Sequence, residues 1–495
     1  MTAPFGGVRG GRGVRNGGNG GIGGGVLAAI VRAEWRAMLR NRVALAAGVL
    51  MLALTLAAIL VSHERVRAVD AERERFQHSA DEQWQAQPDR HPHRMVHYGQ
   101  YVFRPLGPLA FFDFGVDPYT GSTLFLEGHR QNSANFSDAS QSSLMLRFGQ
   151  LTPAFVLQTL APLLIAFLAF GSVARERERG QLRLQLAQGA GAGKLLAGKA
   201  AAHAAVAMLL ALPAFAALAA IAAAQPAVRA QALLMLAGYA LYLLVWAVVA
   251  VLASAALPRA RDALLALVGC WIVTTILLPR VMPDLAERRH ERPSRIETEA
   301  AIHARLAALG DSHNPDDPHF RAFREKTLAA YGVARVEDLP VNYGGLVAGE
   351  GERLTSALFE EFMREDFERQ TAQVAFTHAA AALSPAIALR RLSTALADTN
   401  LDAHIRFLSE GERHRYRLVQ ALNRLHATQI RHQNDRDQRI GGEHWRHTPQ
   451  FSYPPPDFGA VTRRHAWPAL LIFAGWLAAL AGAGRVIAGR LERNA

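Results

Sequence analysis

The sequence predicts an all-α polytopic membrane protein, with about six transmembrane helices and two large, mainly helical extracytoplasmic insertions. Three observations predict it. Six runs are almost free of charge and about as long as the hydrocarbon core of a bilayer is thick. Two long polar stretches, 63–152 and 280–466, separate them, and the second carries helical periodicity. Arg and Lys gather in the short connections, where they set the orientation of a membrane chain. The mean hydropathy of +0.06 averages two populations, greasy segments and strongly charged ones.

Residues 1–25 are Gly-rich with scattered Arg, a composition that cannot bury a core and is expected to be disordered. In residues 26–42, Val26, Ile30, Ala33, Ala37 and Met38 fall on one helical face and Arg32, Arg36 and Arg40 on another. That pattern, with Trp35 at headgroup level, is an amphipathic elbow helix lying on the membrane surface; the competing reading continues the first span. Residues 43–62 (VALAAGVLMLALTLAAILVS) form that span. The run is long for a cleaved signal peptide, and no A-x-A site follows it before charges begin. The later spans are 154–174, 201–224, 231–256, 263–279 and 467–484, the last with Trp467 and Trp476 as interfacial anchors.

The first insertion, 63–152, opens with the charged helical run HERVRAVDAERERFQ and ends rich in Gly, Pro, Asn and Ser. In the second, Leu354, Leu358 and Phe362 share a helical face, as do Leu418, Leu422 and Leu425. Breaks at Pro315, Pro318, Pro340 and Pro385 divide it into several helices. The stretch HWRHTPQFSYPPPDFG reads as an extended linker into the last span.

Short loops decide the side. The loop 175–200 carries Arg175, Arg177, Arg179, Arg183, Lys194 and Lys199, the turn 257–262 carries Arg259 and Arg261, and the tail 485–495 carries Arg485, Arg490 and Arg493. These segments and both termini are expected to be cytoplasmic, which places both insertions outside. Arg65, Arg67, Arg73 and Arg75 on the outer flank of the first span run against the rule. Arg outnumbers Lys and Ala is abundant, a composition that points to a GC-rich bacterial genome and an inner membrane.

Several function classes are excluded. The net charge of +12 is accounted for by cytoplasmic flanks of membrane spans, not by nucleic-acid binding. Cys270, the only cysteine, lies inside a span, so neither an intrachain disulfide nor a Cys-based metal site exists. No Asp or Glu stands in the middle of a span, which argues against proton-coupled carriers and intramembrane aspartyl proteases. Gln158, His203, Thr274 and Thr275 are the polar residues there, and helix–helix hydrogen bonding accounts for them. No H-E-x-x-H is present. GAGAGKLL at 189–196 resembles a phosphate loop, but Gln188 stands where the first Gly belongs and Leu195 where Ser or Thr would bind magnesium. Histidines cluster at His91, His93 and His97, at His414, and at His444 and His447, with no carboxylate or Cys joining them in an ordered pattern; they read as solvated surface histidines. No cofactor is expected on this chain.

The run APLLIAFLAFGSVARERERGQLRLQLAQGAGAGKLLAGK resembles the permeases of the ABC-2 transporter family. There a span ends in an acidic-basic-Gly signature, here Arg175–Glu176–Arg177–Glu178–Arg179–Gly180. A short apolar-basic helix follows (Gln181 to Gln188), and a Gly-Lys such as Gly198–Lys199 opens the third span. The outer pieces HYGQYVFRPLGPLAFFDFGVDPYTGSTLFLEGHRQN, LPVNYGGLVAGEGER and SPAIALRRLSTALADTNLDAHIRF look like the branch carrying an insertion of the DUF3526 type.

The resemblance implies a permease without an ATPase of its own. It pairs with a separate ATP-binding subunit that holds the ATP, and with a second permease half, identical or a sister chain. The loop after the second span would be the coupling element, and Glu176, Arg177, Glu178, Arg179 and Gly180 its contacts with the ATPase. The physics agrees: a charged loop ending a rigid helix sets register on a soluble partner. The competing function is a membrane-anchored scaffold or signalling protein whose exterior helical domain binds a periplasmic partner. A membrane-embedded enzyme is disfavoured, because no nucleophile, base or metal constellation is visible.

Overall fold

The computed structural model describes residues 20–130, 132, 151–311, 314 and 316–493. Residues 1–19 of the expected disordered tail, and the break at Pro315, lie outside the described residues. Helix α1 (Gly20–Arg40) begins inside the Gly-rich segment. It ends at Asn41, whose extended backbone and side chain, accepting from the N–H groups of Val43 (3.1 Å) and Ala44 (3.3 Å), cap a new helix. The elbow and the first span are therefore two helices. Its packed side carries Ile30, Glu34 and Met38, while Ala33 and Ala37 are exposed. Ile30 sets that face: a Cβ on Gly198 would meet its Cγ2 at 2.7 Å, so α1 lies directly on the third span.

Helix α2 (Arg42–Gln85) is 44 residues long, about 66 Å at 1.5 Å per residue, roughly twice the hydrocarbon thickness. Apolarity locates only its first half. The charged run after residue 62 continues the same helix, because no Gly or Pro interrupts residues 49–87 and pairs such as Arg73–Asp70 (2.8 Å) support its exposed face. The first insertion continues with α3 (Pro92–Tyr98). Next comes an antiparallel hairpin of β1 (Gln100–Phe103) and β2 (Thr123–Leu126), paired Gln100↔Leu126. The helical expectation missed this hairpin.

The second span is α4 (Pro153–Glu178), with a π-turn at Val156–Leu160. After the short α5 (Gln181–Ala187), the third span is not one helix over 201–224. It is α6 (Ala192–Leu210) and α7 (Leu212–Ala224), divided at Ala211. Pro213 lacks the N–H that would continue the ladder, which explains the division. Helices α8 (Arg229–Ala256) and α9 (Ala260–Arg289) are the fourth and fifth spans. Helix α9 runs past the apolar stretch, through a π-turn at Ile272–Leu277.

In the second insertion α10 (Arg295–Leu309) has a complete Ser294/Glu297 capping box. It is followed by α11 (Pro318–Tyr331), α12 (Tyr343–Ala379), α13 (Pro385–Ala397) and α14 (Leu401–Gln429). Pro318 and Pro385 occupy first turns, where the missing N–H is harmless. The linker carries a 3₁₀ turn at Gly442–His447 and leads into α15 (Phe458–Arg493), the sixth span.

Among the described residues, six helices are long and apolar enough to cross a membrane. Helix α8 is their centre: Tyr239, Tyr242 and Trp246 are buried among Leu157, Phe473 and Leu389. Two pieces of the insertions join this core. Leu109, Phe111 and Phe112 enter it from the first insertion, and α13 from the second, with Leu392 against Gly238. A separate core of Trp84, Met95, Val96, Leu418, Leu422 and Trp445 joins the far end of α2 to α14.

Candidate functional site

Helix α4 is interrupted near its end by a turn at Phe170–Val173. Ser254 of α8, fully buried, accepts from the N–H groups of Val173 (3.0 Å) and Ala174 (3.1 Å). It satisfies donors that the break in the helix would orphan. The signature Arg175–Gly180 follows.

Its members divide into those held inside the chain and those facing out. Glu176 is half-buried, and its Oε1 accepts from Lys199 Nζ (2.9 Å) and Gln185 Nε2 (3.3 Å). Lys199 is 1% exposed and is also paired with Glu34 of α1. One buried ammonium thus lies between two carboxylates and ties the elbow helix, the signature and the third span together. Arg177 donates to the carbonyls of Ala255 and Leu257, at the C-terminal end of α8. Glu178 Oε1 accepts from Ala260 N (2.9 Å), at the N-terminal end of α9. Adjacent residues of opposite charge therefore meet opposite helix ends, the orientation the helix dipole favours. Arg179 and Gly180 are exposed. Gly180 has φ +72°, a left-handed conformation that turns the chain into α5 at no Cβ cost.

Helix α5 buries Leu182 and exposes Arg183, Leu184 and Gln188, Leu184 being 64% exposed. At its far end Ala192 N donates to Glu492 Oε1 (2.9 Å), which fastens the end of α15 to the start of α6. Arg175, Arg179, Arg183, Lys194, Arg259, Arg261 and Arg490 are all exposed around this end of the bundle. The phosphate-loop lookalike resolves into the turn before α6, with Lys194 exposed and no strand leading into it.

A second polar cluster lies at the other end of the membrane core. Gln158 Nε2 donates to Asp113 Oδ2 (3.2 Å) and Tyr239 Oη (2.8 Å), and Tyr239 Oη is 2.9 Å from Ser393 Oγ. Tyr242 Oη donates to the carbonyl of Gln158 (2.7 Å). Burial pushes the Asp113 carboxyl up, against hydrogen bonds from Ser393 and Gly115 that pull it down. No span contributes an acid here; the first insertion supplies it. Of the polar span residues read from sequence, Gln158 joins separate elements, whereas His203 and Thr274 bond to carbonyls of their own helices, Lys199 and Cys270.

The sequence pattern points to Arg175–Gly180 but not to the Lys199–Glu34 pair, Ser254 or Asp113. A lone Lys opening an apolar span and a lone Glu in an Arg-rich helix were the readable hint for the first pair. His91, His93 and His97 are not isolated surface histidines: the fold brings His129 and His426 to them. His414 is fully buried, against Phe451.

A search of curated proteins returns no match. Two family models do match: residues 295–454 fit the domain of unknown function DUF3526, and residues 28–306, more than half of the chain, fit the ABC-2 family transporter protein model. The chain belongs to the ABC-2 transporter family, as a permease-type membrane component that carries a DUF3526 domain.

Proposed function

We propose that this chain is the permease subunit of an ATP-driven ABC-2 exporter in a bacterial inner membrane, with both termini cytoplasmic. ATP is bound and hydrolysed by a separate subunit docked on the loop 175–200, and a second permease half completes the translocation path. The observation that carries the reading is the way α5 is mounted. The helix presents Arg183 and the exposed Leu184, while the signature before it is pinned through Lys199 and the α8–α9 turn, and the start of α6 beyond it through Glu492. Within the signature, Glu176, Arg177 and Glu178 shape the loop, and Arg179 and Gly180 lead into the surface offered to the ATPase.

A displacement of α5 by the partner would move α1, α6 and the α8–α9 turn as one body. Spans so linked switch between discrete packings and do not deform continuously. The basic end of the bundle supports the cytoplasmic assignment of the termini, since exposed Arg and Lys concentrate there. Exposed apolar residues on the span portions of α2 and α9, among them Val49, Leu56, Leu265 and Ile276, face lipid or the second half.

Affinity purification from mild-detergent membranes tests the reading, comparing the native chain with an Arg183→Glu/Leu184→Asp variant. An ATP-binding subunit that accompanies the native chain and is depleted with the variant supports it. Equal recovery of that subunit with both, or none with either, counts against it and favours the scaffold role.

A further inference from the structure

We propose that His93, His97 and His129 form a binding site for a divalent transition-metal ion of the zinc–copper–nickel class, at the seam between the two insertions. Each offers a ring nitrogen, and the three nitrogens lie within 4.8 Å of one another. His93 and His97 are four residues apart on α3, hence on one face, with their Nε2 atoms 3.2 Å apart. Two nitrogens bound to a tetrahedral zinc at 2.0–2.1 Å sit about 3.4 Å from each other. The pair therefore has the required spacing already, with a ring nitrogen of His129 within 4.8 Å of both.

His129 is put in place by unusual local structure. Its φ of +64° is left-handed in a residue that is not Gly. Gly128 beside it touches α3 so closely that a Cβ would stand 2.0 Å from Val96 Cγ1, and its N–H donates to Val96 O (3.0 Å). Strained backbone persists where the surroundings impose it, and it clusters at ligand sites. Glu352 of α12 supplies the imposing contacts. Its Oε2 accepts from His129 N (3.2 Å) and lies 3.4 Å from His129 Nδ1. Its Oε1 is held by Arg415 (2.6 Å) and Ser356 (2.9 Å). A carboxylate behind one ring nitrogen fixes the tautomer that presents the other nitrogen to a metal.

The neighbouring trio His91, His426 and Asp435 is of another kind. His91 Nδ1 accepts from His93 N (3.1 Å), so its proton sits on Nε2, which faces Asp435. His426 Nε2 is 2.7 Å from Asp435 Oδ1 and donates to it. In that trio His91 Nδ1 is committed to capping α3 and His426 Nε2 to its hydrogen bond with Asp435. His97 is exposed, so the fourth position opens to solvent and takes water or an exogenous ligand. Imidazole donors favour zinc, copper and nickel over calcium and magnesium.

The test uses the full chain in detergent, without a polyhistidine tag and stripped by a chelator. Zinc is added against a chromophoric competitor, and bound metal is counted by mass spectrometry after desalting. The inference expects one zinc per chain, undisturbed by excess calcium or magnesium. Affinity should fall at least ~10-fold in His97→Gln and in His129→Gln, and should be unchanged in His444→Gln. Zinc should raise the melting temperature of the native chain but of neither deficient variant. Metal-free melts and elution profiles of the variants matching the native chain exclude misfolding. No zinc bound by the native chain, or zinc retained by both variants, overturns the inference. So does loss in His426→Gln with retention in His97→Gln, because the metal would then sit in the other trio.

Discussion

Replacing Arg415 by Met should unfold the DUF3526 domain more readily than any surface change. Arg415 is 1% exposed, and its guanidinium donates to Glu412 (2.7 and 2.9 Å), Glu352 (2.6 Å) and Ser356 (2.7 Å). Burial alone would push this guanidinium down; the Glu412 and Glu352 carboxylates more than reverse that and raise it. Glu352 and Glu412 are themselves 0% and 5% exposed. Removing the cation leaves two buried carboxylates facing each other with no counter-charge, and breaking such a pair costs about 3–5 kcal/mol. The penalty falls where α12 and α14 cross and where β2 rests on α14. Hydrogen exchange of peptides from α12 and α14 reads it directly: at about 1.4 kcal/mol per decade, opening should become roughly 100- to 4,000-fold more frequent. Spans α4 and α8 should exchange as before. The triple variant Glu352→Gln/Glu412→Gln/Arg415→Met, which removes all three charges, should recover part of the loss. Protection in Arg415→Met within tenfold of the native chain would refute the reasoning.

Three further outcomes follow from the structure. Gly345→Ala places a Cβ 2.3 Å from the backbone nitrogen of Ala427, which forces α12 from α14 and should cost about 1–3 kcal/mol. Gly349→Ala meets only the end of the Gln420 side chain at 3.3 Å and should be close to neutral, so paired thermal melts separate the two. Gly180→Val should cost about 1 kcal/mol at φ +72° and weaken ATPase co-purification, while Gly180→Asn retains more of it. Burial, with Arg391, Arg104 and Arg417 adding to it, holds His378, His404 and His414 down to about 4. Unfolding returns these rings to about 6.5, so the unfolded state binds more protons between those values. Their contribution is complete above pH 6.5 and lost as the pH falls toward 4, on the order of 1 kcal/mol per ring after solvent screening. Below that Asp402, held down to about 2 by its hydrogen bond from His465, continues the loss. A melting temperature that is flat between pH 7 and 4.5 would contradict this.

The number of membrane helices was legible in the sequence because lipid-length apolar runs are a one-dimensional property. Their ends were not. Helix α2 persists through HERVRAVDAERERFQ because those residues form helix readily, a fact that hydropathy does not register. The third span's break at Ala211 required weighing Pro213 inside a uniformly apolar run. Strands of four residues, QYVF and TLFL, are too short to show an alternation.

The Arg175–Gly180 signature was visible as a pattern of charge, yet its chemistry lies in partners far along the chain. Arg177 reaches Leu257, Glu178 reaches Ala260, and Lys199 reaches back to Glu34. The histidine trio was hidden for the same reason. His129 stands more than 30 residues beyond His97, and the carboxylate that orients it is Glu352.

On the proposed function, α5 is where an ATP-binding subunit docks. Placing a photo-crosslinking residue at position 184 in living cells tests this, with position 60, on the exposed side of α2, as control. Position 184 should capture an ATP-binding subunit, position 60 should not, and the adduct should be lost with Gly180→Val. Capture of no nucleotide-binding protein at 184, or reaction of 184 with a membrane-impermeant reagent added from outside the cytoplasmic membrane, would contradict it.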